Sequence, residues 1–151
     1  MKPYILKRTQ LIHRPLAEVF PFFESPENLA RITPPWLHFV IRTPSPVQMK
    51  TGTLIEYTIR WFGLPVYWKT EIKDYAPPLR FIDEQICGPY SFWHHTHVFN
   101  EVNGMTEMTD LVQYRLPFGP VGRIAHAFLI RGQLEEIFEY RNKAIERIFN
   151  K

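Results

Sequence analysis

Three histidines within four residues, His94, His95 and His97, stand a short distance before a carboxylate, Asp110. Side chains on a strand alternate faces with period 2, so His94 points away from the other two. His95, His97 and Asp110 are left to share one wall, and three chemistries are open to them. Imidazole and carboxylate side by side can form a structural ion pair, a polar anchor for a ligand, or an acid–base pair for proton transfer. Two histidines and a carboxylate can also bind iron or zinc, but strand neighbours of this kind more often hydrogen-bond to one another, and no metal is expected. No cofactor is expected either, because no Ser-His-Asp order, CxxC, P-loop or dinucleotide glycine pattern occurs. The single cysteine, Cys87, reads as a packed strand-end residue rather than a nucleophile. Arg141 falls on the apolar phase of the last helix, where its head either reaches water or a carboxylate, or meets an acidic ligand group.

The element that must position these groups is a long hairpin from Gly88 to Gly119, turning at Asn103-Gly104. Both turn residues accept the positive φ of a type I′ turn, which makes Asn-Gly between alternating runs a strong hairpin signal. With those two residues as the loop, Phe99 faces Met108, His97 faces Asp110, His95 faces Val112 and Trp93 faces Tyr114. All eight share one side, and Glu107, Thr109, Gln113 and Arg115 fall on the other. The first side reads as a ligand-binding wall, aromatic at both ends. The 97:110 pair is of the non-hydrogen-bonded kind, with Cβ atoms roughly 4.5–5.5 Å apart. Direct contact with Asp110 predicts a His97 pKa above the ordinary ~6.5.

The rest of the 151-residue chain builds the frame around this hairpin. Tyr4 to Ile12 is β-prone; Pro15 opens a helix carrying Leu16, Val19, Phe20 and Phe23, and Ser25-Pro26 opens a second short one. Strands follow over residues 37–42, 53–61 and 66–75, separated by proline- and glycine-rich breaks. Residues 80–87 form another, with Phe81, Asp83, Gln85 and Cys87 on one side, though which side faces inward stays open. No proline follows Pro120, and the remainder is helical. Its apolar phase changes near Arg131-Gly132: Val121, Ile124, Ala125 and Phe128 lie on one face, Leu134, Ile137, Phe138, Ile145 and Ile148 nearly opposite. A kink at Gly132, or one straight helix buried all round at its start, would account for that.

Apolar residues make up 45% of the chain and aromatics 15%, too much for disorder. With no repeat or low-complexity run, residues 1–151 read as a single domain. No apolar run is long enough to span a membrane, so no integral membrane association is expected. The net charge of +3 is mild and its basic residues are scattered, which argues against nucleic acid as a partner. One cysteine and no signal-peptide core fit a cytoplasmic location.

A strand, two short helices, six more antiparallel strands and a long C-terminal helix resemble the plan of the SRPBCC superfamily, which includes START domains and polyketide cyclase/dehydrase-like proteins. Pro15-Leu16-Ala17-Glu18-Val19-Phe20, Asn28-Leu29, Thr33-Pro34-Pro35, Gly88-Pro89-Tyr90 and Trp93 through Phe99 are similar to its small bacterial ligand-binding members. Leu116-Pro117-Phe118-Gly119 and Ile137 to Arg141 extend the likeness over the whole chain. The resemblance implies an α+β helix-grip fold: a curved sheet wrapped around the long helix with an apolar cavity between them. It implies a small hydrophobic or amphipathic ligand, with Trp93, His95, His97, Phe99, Met108, Asp110, Val112, Tyr114 and Arg141 as candidate contacts. The alternative is a cyclase- or dehydratase-type enzyme using His97 and Asp110. No catalytic set of a cyclase carries over residue by residue.

Overall fold

The computed structural model describes residues 2–150. Seven antiparallel strands form one sheet in the order β1-β7-β6-β5-β4-β3-β2. They run β1 Tyr4–Ile12, β2 Val40–Ile41, β3 Leu54–Trp61, β4 Leu64–Ala76, β5 Arg80–Cys87, β6 Phe92–Val102 and β7 Met105–Arg115. The chain's first strand closes against its last, so β1 and the short β2 are the edges. Between them lie helix α1, Leu16–Phe23, and two 3₁₀ turns, Pro26–Ile32 and Pro35–Leu37. Ser25 therefore opens a 3₁₀ turn rather than an α-helix, and its hydroxyl donates back to the Pro21 carbonyl instead of capping forward.

Asn103 and Gly104 both hold positive φ, and the β6–β7 register is the one an Asn-Gly turn dictates: Phe99 opposite Met108, His97 opposite Asp110, His95 opposite Val112, Trp93 opposite Tyr114. These eight are buried on the concave side, while Glu107, Thr109, Gln113 and Arg115 lie half-buried on the convex side. Irregularities fall instead between β4 and β5, at Lys69/Thr70 and Ile72/Asp74. The regular β5–β6 pairing puts Asp83 opposite His95 and Phe81 opposite His97, which settles the facing of β5: both point inward. Cys87, expected to be packed, is exposed, because the last residues of β5 run beyond the pairing with β6.

The C-terminal rod consists of α2, Gly119–Ala125, a π turn, His126–Ile130, and α3, Arg131–Phe149. The phase change read from the sequence belongs to the π turn, neither to a kink at Gly132 nor to all-round burial. Gly122, His126, Ile130, Leu134 and Phe138 form the buried stripe at every fourth residue. In a pure α-helix such a stripe drifts around the rod, since four residues exceed one 3.6-residue turn; a wider π turn delays the drift. Val121, Ile124, Phe128 and Leu129 are consequently exposed.

Packing separates into two apolar clusters. One joins Ile12, Val19, Phe20, Phe99, Met108 and Ile145; the other joins Trp68, Tyr90, Trp93, Val112, Leu134 and Phe138. Along β6, β7 and α3 alike the chain passes from one cluster to the other across a polar interval: His95 and His97, Asp110, and Arg141.

Candidate functional site

That polar interval belongs to a belt of five charged or titratable side chains, His95, His97, Asp110 and Arg141 buried and Asp83 half-buried. His97 Nε2–H donates to Asp83 Oδ2 at 2.6 Å, and His95 Nε2–H donates to Asp110 Oδ1 at 2.8 Å. Arg141 grips the same carboxylate with Nε 3.2 Å from Oδ2 and Nη2 3.3 Å from Oδ1. The residues directly opposite one another are 97:110 and 83:95, yet the hydrogen bonds run along the diagonals. His97 and Asp110 are adjacent without bonding, Nδ1 standing 3.5 Å from Oδ1. The expected direct His97–Asp110 bond is therefore replaced by His95–Asp110 and His97–Asp83. Stacking drives the choice: the imidazoles lie face to face with centroids 3.7 Å apart, and Phe81 covers the far face of His97 at 4.1 Å. Rings held in that stack direct their Nε2 atoms to opposite carboxylates.

The electrostatics follow. Burial pushes the His97 pKa down to about 4, and the neighbouring His95 adds to the fall, against the upward pull of Asp83 and Asp110. The expected elevation of His97 does not occur, because its desolvation exceeds what the carboxylates supply. Burial alone would raise Asp110, but Arg141 and His95 outweigh it and hold that carboxyl well below the usual range. Asp83 is likewise lowered: burial opposes, and the His97 hydrogen bond and the neighbouring His95 prevail. At neutral pH His97 is an uncharged imidazole whose Nε2 keeps its proton. Its Nδ1 is buried with no hydrogen-bond partner among the described residues. Asp83, His95 and His97 bring one potential ligand atom each within 4.8 Å of one another, a spacing that could hold a cation. A metal there would have to displace the proton that His97 shares with Asp83.

The belt borders a cavity of about 190 Å³ between the sheet and α3. Tyr57, Ile59, Trp61 and Trp68 supply one wall, Phe23, Leu29 and Ile32 a second, and Leu134, Ile137 and Phe138 the helical side. Of the residues singled out in the sequence, Trp93, His95, His97 and Arg141 line it. Phe99, Met108, Asp110, Val112 and Tyr114 do not. The helix lies on the β1–β7 side, where Gln10 Nε2–H of β1 donates to the Asn142 carbonyl at 2.8 Å and Arg141 reaches across to Asp110, and those five are packed into the core. The cavity is displaced toward β3, β4 and β5. Tyr114 has a separate role, its hydroxyl meeting His126 Nε2 at 2.7 Å while Tyr4 stacks on that imidazole. Asp83 is the polar wall residue that sequence reading left unassigned; its place on the Phe81 side of β5 was the available signal.

No family model matches the sequence, and no curated protein matches it. Solved structures do. A Chromobacterium violaceum protein superposes with a TM-score of 0.75 at 12% identity, covering 99% of both chains. A Thermus thermophilus protein gives 0.71 at 18% identity, covering 95% of each. A START superfamily protein from Mycobacterium smegmatis gives 0.66 at 10% identity, covering 95% of this chain and 98% of that one. The chain has the START-like helix-grip fold. At these identities the likeness extends to the fold alone, and to the sheet, rod and early helices described above. Among the described residues no helix is long and apolar enough to cross a membrane.

Proposed function

We propose that this protein binds a compact hydrophobic or amphipathic molecule in the cavity between β3–β6 and α3. The observation that carries the reading is the pairing of aromatic and aliphatic walls with one polar belt, a few convergent polar groups in an otherwise apolar pocket. Burial against those walls supplies most of the affinity, at roughly 25 cal/mol per Å² removed from water. Asp83, His95, His97 and Arg141 supply orientation. At about 190 Å³ the space is smaller than the ~300–1,000 Å³ of pockets for drug-sized ligands. That favours a ring-sized molecule over a two-tailed lipid. Asp83 accepts hydrogen bonds only, so the ligand's polar end carries a hydroxyl or amine donor.

Native mass spectrometry of protein purified from its own host tests the reading. A retained small molecule, displaced by a fluorescent hydrophobic probe such as anilinonaphthalene sulfonate, supports it. Protein that is empty and takes up no probe sinks it. Asp83→Asn removes one charged acceptor and should weaken the retained ligand about ten- to a hundredfold, the loss of a hydrogen bond to a charged group.

An acid–base role has one specific observation in its favour, the neutral, unpartnered Nδ1 of His97. In that reading His97 accepts a proton from a bound substrate through Nδ1 while Asp83 holds the opposite nitrogen. Turnover of the retained molecule by wild type but not by His97→Gln would establish it.

A further inference from the structure

Away from the cavity, one end of the molecule is unusually apolar. Phe118 is 82% exposed and Phe128 81%, with Val121 and Leu64 at 68%. Ile124, Leu129 and Phe62 are also exposed. They come from the loop before α2, the outer side of α2 and the π turn, and the β3–β4 turn. These segments meet across a groove walled by Trp61, Phe62, Val66, Leu116, Phe118 and Leu129, with Leu64, Val121, Ile124 and Phe128 on the same segments outside its lining. Two of the phenylalanines, Phe62 and Phe118, have φ of 51° and 69°. Bulky residues seldom take the left-handed region, and such outliers persist where the exposed side chain has a use.

The two segments that form this face carry basic residues and no acidic ones. Between Asp110 and Glu135 there is no acidic residue, but Arg115, Arg123 and Arg131 occur; between Glu56 and Glu71 there is none, but Arg60 and Lys69 occur. Arg60, Arg123 and Arg131 are exposed, and Arg131 is paired with Glu135 at 3.4 Å. Exposed aromatic and aliphatic side chains rimmed by arginine fit a bilayer interface, with the apolar groups entering the acyl boundary and the cations at phosphate level.

We propose that this face, Phe62–Leu64 with Phe118 to Leu129, docks peripherally on an anionic lipid surface. Trp61 and Pro89 line both the groove and the central cavity, so a docked molecule holds its cavity one side chain from the lipid. Trp61 Nε1–H donates to Gln133 Oε1 at 2.6 Å and bridges the β3–β4 hairpin to α3 at that point. Docking itself does not depend on the cavity being filled.

Co-sedimentation of the whole protein with phosphatidylcholine vesicles, with and without phosphatidylglycerol, tests this. Binding is expected to the anionic vesicles, weaker in high salt. Phe118→Asn with Phe128→Ser should cost at least about tenfold, the value of burying one phenylalanine. Asn tolerates the left-handed backbone at 118, and both positions are exposed, so circular dichroism should not change. Arg60→Gln with Arg123→Gln should cost about fivefold per arginine on anionic vesicles and little on neutral ones. No sedimentation with either vesicle overturns the proposal, as does binding that the phenylalanine variant retains. A concentration-dependent dimer in ultracentrifugation, lost in that variant, also overturns it by assigning the face to a second copy of this chain.

Discussion

His97 carries the pH dependence of the belt. Its folded pKa lies near 4 and its unfolded value near the ordinary ~6.5, so the unfolded chain takes up a proton first as pH falls. The stability associated with neutral His97 is present above pH ~6.5 and is lost as pH falls toward 4, at up to about 1.4 kcal/mol per pH unit. Asp83 and Asp110, both lowered, add a further loss below their unfolded pKa of ~3.9. Urea midpoints across this range should decline through the His97 window, and His97→Gln should flatten that window alone. NMR titration of the imidazole distinguishes the two carboxylates. Asp83→Asn removes the 2.6 Å partner and should lower the His97 pKa further, whereas Asp110→Asn, 3.5 Å away and shared with Arg141, should move it less. Equal effects would contradict the diagonal pairing. The sequence placed His95, His97 and Asp110 on one wall because Asn103-Gly104 fixes the register between β6 and β7. It could not place Asp83: β5 lies between Pro77-Pro78 and Gly88-Pro89, neither a two-residue hairpin, and register shifts separate it from β4.

At the scale of elements, the C-terminal rod shows where periodicity misleads. A reading at 100° per residue assumes α geometry throughout, so a π turn registers only as a change of phase, displaced toward the nearest glycine. Gly132 has nothing within 4 Å of an added Cβ, and it sits in regular helix. Gly132→Ala should therefore stabilise the protein by roughly 0.5–1 kcal/mol in urea unfolding, through helix propensity and the unfolded chain's lost freedom. A kink at that position would give the opposite sign. Gly122 is the contrasting case, since a Cβ there would stand 2.1 Å from the Pro117 carbonyl oxygen. Backbone cannot yield as a side-chain tip does, and Gly122→Ala should cost on the order of 1–3 kcal/mol as the start of α2 is pushed off the loop. The strands were legible from alternation and the early helices from Pro15 and Pro26. The 3₁₀ character of Pro26–Ile32 was not, because N-terminal signals are the same for both helix types.

For the whole molecule, the deciding contact is the one that sets the rod against the sheet. Arg141 reaches from α3 to Asp110 on β7, its guanidinium also over the rings of Phe23 and Phe138 at 5.7 and 6.0 Å. Together with the Gln10–Asn142 bond from β1 this holds the helix on the β1–β7 side and leaves room on the β3–β5 side, where the candidate cavity lies. Helical phase put Arg141 on the apolar side, but it could not name Asp110 as partner: that depends on which strand the rod crosses, a tertiary fact. Replacing Arg141 by Met keeps the stem's packing and leaves Asp110 buried with His95 as its remaining hydrogen-bond donor. Removing one member of a buried pair costs about 3–5 kcal/mol, chiefly through the stranded charge. Arg141→Met alone should therefore lower stability steeply, and Arg141→Met with Asp110→Asn should recover a large part of it, since no uncompensated charge remains. If the double variant is as unstable as the single, the pair holds the helix in place by geometry rather than by charge balance. Probe uptake by the two variants then separates the effects: a rod that shifts toward β3–β5 closes the cavity, and the double variant would fold yet bind nothing.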